Sequence, residues 1–99
     1  MTDWKIVEAI KQYATRCDGV DCELGNWYVG IAANPRKRLF EDHGVAENGA
    51  WIFNDAGHDQ HARDTETYLL DQGFDGGSGG GDGTTTYVYA FRKTSSTKR

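Results

Sequence analysis

The chain has 99 residues, a formal charge of −4 and 37% hydrophobic residues. That length leaves space for one domain, in which folding hides roughly 60–70% of the surface. No run of about 18 apolar residues is present, which excludes a membrane-spanning helix, and the acidic total argues against a general nucleic-acid coat protein.

Three Trp, five Tyr and four Phe supply much of the core, alongside one Met. Residues 3–17 read as an amphipathic helix, with Val7, Ile10, Ala14 and Cys17 recurring at helical spacing. Thr2 or Asp3 is its expected N-cap, and Asp18-Gly19 its stop. Val20 to Leu24 then alternates, and the Gly25-Asn26 pair before Trp27 is a hairpin signal. Trp27 to Ala32 is a strand with Trp27, Val29 and Ile31 on one face and Tyr28, Gly30 and Ala32 on the other. Asn34 is placed to cap a helix that opens on Pro35, where a missing N–H costs nothing, and runs to His43 before Gly44. A second strand is expected over 50–54, and a third helix over 59–71 with Ala62, Leu69 and Leu70 inward. Residues 73–83 hold seven glycines, an expensive composition for any regular element and therefore a connector. The run 85–93 is a strand with Tyr87, Tyr89 and Phe91 on one face and Val88 and Ala90 on the other. Residues 94–99 form a polar tail, expected to fray. The sum is an α+β domain: a three-stranded sheet (27–32, 50–54, 85–93) flanked by helices near 3–17, 35–43 and 59–71.

Charge is segregated along the chain. Arg36, Lys37 and Arg38 sit together in the turn after the first strand, whereas residues 39–90 carry ten acids against Arg63 alone. Met1 to Lys5 lacks the basic-then-apolar pattern of a secretory signal, so a cytoplasmic location is expected, with Cys17 and Cys22 as thiols. A zinc-stabilised domain using Cys17, Cys22, His58 and His61 is a separate reading, although the spacing is not that of a zinc finger.

Tyr28-Val29-Gly30, Arg38 ten residues after the tyrosine, and His43 shortly after resemble the second half of the GIY-YIG nuclease signature. The segment Ala62-Arg63-Asp64-Thr65-Glu66-Thr67-Tyr68-Leu69-Leu70 resembles that family's glutamate-bearing helix. The resemblance covers residues 27–70. It implies a small endonuclease acting on DNA with one Mg²⁺ or Mn²⁺ held by Glu66. Its catalytic residues would be Tyr28, Arg38, His43 and Glu66, with Arg36 and Lys37 gripping flanking phosphates. Two features of the family are absent: no Gly-Ile-Tyr occurs anywhere, and no asparagine follows the glutamate helix, where Asp75 and Asp82 are the nearest polar residues. The C-terminal strand can fill the vacant place in the sheet, with Tyr87 or Tyr89 supplying the missing phenol. The alternative is a module that keeps the fold without catalysis and binds nucleic acid or protein. A partner protein is one source of sequence specificity for so small a domain.

The residue types suit that chemistry independently. Phosphodiester hydrolysis needs an activated water and neutralisation of charge on the phosphoryl oxygens. A lone carboxylate binds a hard divalent ion when water and phosphate complete its shell. Arginine offers a planar fork matched to phosphate, a tyrosine near a cation can serve as general base, and histidine can relay protons.

Overall fold

The computed structural model describes residues 2–14, 26–47, 49–76, 85–93 and 97. Helix α1 spans Trp4–Ala14. Asp3 is its N-cap: Oδ1 accepts hydrogen bonds from the backbone N–H of Lys5 (3.1 Å) and Ile6 (3.3 Å). Strand β1 is Trp27–Ala32 and strand β2 Trp51–Asp55. Between them a short helical turn, α2 (Pro35–Lys37), runs directly into a π-helical turn over Arg38–Asp42. Asn34 caps α2, its Oδ1 accepting from Lys37 N–H at 3.2 Å. Helix α3 is Asp59–Asp71, opened by His58, whose Nδ1 accepts from Gln60 N–H at 3.1 Å. Strands β3 (Asp75–Gly76) and β4 (Tyr87–Arg92) complete the sheet.

The architecture is α+β, but among the described residues the sheet has four strands rather than three, in the order β2-β4-β1-β3. β4 is antiparallel to both β1 and β2, so the last strand occupies the middle of the sheet. The extra strand comes from the start of the glycine-rich stretch: Asp75 and Gly76 pair parallel with Tyr28 and Val29. Alternation cannot reveal a strand of two residues, and glycine lowers the expectation further. Gly76 is needed there because a Cβ would lie 2.6 Å from the Val29 carbonyl oxygen and 2.7 Å from a Leu70 methyl. The second expected helix is also modified. Its second half is π-helical, with the His43 N–H donating to the Arg38 carbonyl at 2.9 Å. Gly44, at φ 68°, then turns the chain so that Val45 N–H reaches the Leu39 carbonyl. The hairpin expected around Gly25-Asn26, Cys17 and Cys22 lie outside the described residues, as does most of the glycine-rich stretch.

The two sheet faces carry different cores. On one, α1 and α3 pack Ile6, Val7, Ile10, Ala62 and Leu69 onto Trp27, Val29, Ile31, Val88 and Ala90. Thr65, fully buried, ties these helices together: its hydroxyl donates to the His61 carbonyl (2.6 Å) and accepts from Asp3 N–H (2.8 Å). On the other, Leu39 and Val45 cover Ala32, Tyr89 and Phe91, with Tyr28, Phe40, Trp51 and Phe53 around them. The face assignments read from alternation in both strands hold. No helix among the described residues is long and apolar enough to cross a membrane.

Candidate active site

Register decides the site. Gly30 of β1 lies opposite Tyr89 of β4, and side chains directly opposed across an antiparallel pair share a face. Glycine leaves that position open, and the Tyr89 ring fills it. A Cβ on residue 30 would fall 2.5 Å from the Tyr89 hydroxyl oxygen and 2.6 Å from Cζ. The hydroxyl therefore sits over β1, on the face that Tyr28 shares.

His43 closes over this hydroxyl. Its Nε2 and the Tyr89 hydroxyl form a hydrogen bond of 2.8 Å, and the imidazole is buried at 7% exposure. The ring packs against three aromatics, with centroid distances of 4.9 Å to Tyr28, 5.6 Å to Tyr89 and 4.9 Å to Phe91. Tyr28 in turn stacks on Phe91 at 5.2 Å. The π-helical turn and Gly44 bring the imidazole inward while Arg38, at the start of that turn, stays half exposed. Such turns recur at functional sites.

Burial and neighbouring ionisable groups act on the Tyr89 phenol. Burial, then the neighbouring Tyr28 phenol, push it well above the ordinary phenol range; the Arg38 guanidinium opposes the rise, and the Glu66 carboxylate adds to it. Tyr89 is thus a neutral hydroxyl at physiological pH, and Tyr28 and Arg38 are the neighbours that act on it from its own face of the sheet. Arg38 is ion-paired with Asp42 one turn along, Nη1 to Oδ2 at 3.1 Å, and this hydrogen bond is the main reason its pKa is raised.

Glu66 lies on the inward stripe of α3 with Ala62 and Leu69, only 7% exposed. Burial pushes its carboxyl up to about 7, with Arg63 pulling weakly the other way. Among the described residues none donates a hydrogen bond to it. A carboxylate so buried is costly when ionised, and α3 packs on the sheet face opposite the one that carries Tyr28 and Tyr89. As a donor set, one carboxylate fits a single hard cation whose remaining ligands are water and phosphate oxygens.

The other expected residues fall at different places. Tyr87, the alternative second phenol, lies two residues along β4 against Phe53 (6.0 Å) rather than at His43. Arg36 and Lys37 are exposed on α2, and the Arg36 guanidinium sits 5.6 Å over the Phe53 ring. Asp75 is ion-paired with Lys93 at 2.9 Å. Among the described residues no three His, Cys, Asp or Glu side chains cluster as metal ligands, and His58 and His61 simply contact each other at the opening of α3. Sequence reasoning did not foresee Phe91 as the floor under both His43 and Tyr28. Its position in the Tyr87-Tyr89-Phe91 alternation was the available signal. Comparison with protein-family models, curated proteins and solved structures returned no match.

Two outcomes follow. Gly30→Ala must displace a ring that is 2% exposed, so it destabilises the fold by about 1–3 kcal/mol. In a Tyr89→Ala background the same substitution becomes neutral or stabilising, because the clash is gone. Denaturant titration of the four-member cycle reads the coupling, and an equal cost in both backgrounds would contradict the packing. For Glu66, the folded-state pKa of about 7 exceeds its ordinary value of 4.5. Its contribution is therefore full below pH 4.5, is lost as pH rises toward 7, and changes no further above that. The loss is at most about 3 kcal/mol. Glu66→Gln removes this part of the slope, whereas parallel pH–stability curves for the two proteins would refute the burial argument.

Proposed function

We propose that the chain is a small endonuclease domain of the GIY-YIG type, closed by its last strand, which cuts or nicks DNA. The observation that carries this reading is the Tyr89 hydroxyl held over Gly30 by His43, with Tyr28 packed on that imidazole and Arg38 at the start of the turn that carries it. Tyr89 takes the place of the tyrosine that the absent Gly-Ile-Tyr strand would supply. β4 beside β1 gives the domain two tyrosine-bearing antiparallel neighbours.

Each side chain then has a task. Arg38 leaves Asp42 to clamp a phosphate oxygen; an exposed pair of this kind is worth at most about 1 kcal/mol and competes weakly. Tyr28 acts as general base toward the attacking water. Tyr89, neutral, orients that water or a phosphoryl oxygen by hydrogen bonding, and His43 is a positioning residue that fixes its hydroxyl. Glu66 would hold one Mg²⁺ or Mn²⁺, whose charge, when bound, offsets what builds on the phosphoryl and leaving oxygens. Arg36 and Lys37, exposed beside Arg38, grip flanking phosphates and add a salt-sensitive share of affinity. The location consistent with this role is the cytoplasm, and a partner protein or distorted DNA supplies specificity.

Supercoiled plasmid nicking in Mg²⁺ or Mn²⁺ tests the proposal. The wild type nicks, while Glu66→Ala, Arg38→Gln and Tyr28→Phe each lose at least about a hundredfold in rate, the scale of a positioned acid–base or charge-stabilising group. Equal activity in all four samples would identify a contaminant and overturn the assignment. DNA binding without nicking would instead favour the non-catalytic module.

A further inference from the structure

The sheet face that carries the tyrosines also holds a concavity. A cavity of about 260 Å³ opens between the turn after β1 and the ends of β2 and β4, lined by Ala33, Asn34, Pro35, Arg36, Phe53 and Tyr87. We propose that it receives one unpaired nucleobase of the bound DNA, flipped out beside the phosphate under attack; this rests on the nuclease reading above.

Four features single out a base. First, the walls are aromatic: Phe53 and Tyr87 meet edge to face at 69°, and both are only half-buried. Such rings form the stacking platforms used for single-stranded nucleic acid. Second, the cavity is smaller than the roughly 300–1,000 Å³ typical of drug-sized ligands, and so suits a single planar ring system. Third, Arg36 stands at its edge over Phe53, where a guanidinium can stack on the base or pair with its phosphate. The neighbouring Lys37 and Arg38 extend the same positive strip, complementary to a phosphate backbone. Fourth, the spacing fits. Tyr87 and Tyr89 are two residues apart on one strand, hence about 7 Å, roughly twice the 3.4 Å rise per nucleotide of stacked DNA. A base leaving its stack one or two nucleotides from the phosphate at Tyr89 reaches the cavity. Asn34 adds a polar edge, since its Oδ1 is committed to the Lys37 N–H and its amide nitrogen remains to meet a base.

The consequence is a preference for DNA with an unpaired nucleotide. It is measured with two duplexes, one carrying a single unpaired 2-aminopurine and the other fully paired, with Ca²⁺ replacing Mg²⁺. The unpaired duplex binds at least about tenfold more tightly, with quenching of the 2-aminopurine, which corresponds to stacking of one base. Phe53→Leu keeps apolar volume without a ring face and abolishes the preference, leaving paired-duplex affinity within about twofold. Arg36→Gln, at an exposed position outside the core, weakens binding to both duplexes. Equal wild-type affinities, or a preference that survives Phe53→Leu, would overturn the subsite while leaving plasmid nicking unaffected. No binding to either duplex would overturn the subsite and the nuclease reading together. A Phe53-dependent dimer without DNA would assign the cavity to a second copy of the chain.

Discussion

The Tyr89 ring lies where the Cβ of Gly30 would be, and most of the candidate site is built around that contact. It fixes which face β4 presents, because a slip of one residue would send Tyr89, Phe91 and Tyr87 to the helix-packed side. It also sets the height of the hydroxyl above the sheet, where His43 bonds it at 2.8 Å. With the imidazole so placed, Tyr28 and Phe91 complete its aromatic enclosure. The whole arrangement depends on pairing residues far apart in sequence, since β4, the last of the described strands along the chain, lies between β1 and β2. Strand pairings of that kind are slow to form, so the site assembles only when the sheet is complete.

Electrostatics around this core are unevenly balanced. Arg38 is supported by Asp42 and half exposed, so its charge is cheap to hold. Glu66 is the opposite case, buried and without a hydrogen-bond donor among the described residues, and it is pushed up to about 7. It lies on the α3 side of the sheet, opposite the phenols, with Arg63 of its own helix as the cation that acts on it. A chain of net charge −4 keeps Arg36, Lys37 and Arg38 together in one turn. They stand on the side of the sheet where the phenols and the aromatic cavity lie.

Much of this was legible from residues alone, and the failures have physical causes. Alternation placed Tyr28 with Gly30, and Tyr89 with Phe91, on their correct faces, because period two admits only one choice once one face is buried. Asn34-Pro35 and His43-Gly44 marked a helix start and stop through cap chemistry that is local in sequence. Pairing partners are not local. Nothing in the strand 87–92 by itself says that it lies between β1 and β2, or that Tyr89 rather than Tyr87 meets His43. Both alternatives share a face, and only the register with Gly30 separates them. The two-residue strand at Asp75–Gly76 left no periodic signal, and the π-helical turn obeys a hydrogen-bond pattern that apolar spacing over five residues does not distinguish from an α-helix. The burial of Glu66 was likewise hidden, since a glutamate on an acidic helix usually faces water.

The most direct test of the central contact is a nuclear Overhauser measurement between the Tyr89 ring protons and the Gly30 α-protons in the isotope-labelled protein. The account predicts strong cross-peaks from the ring to both α-protons, together with cross-strand peaks that pair Gly30 with Tyr89. Their absence, or pairing of β1 with a strand other than 87–92 on that edge, would contradict it and dissolve the site built on it.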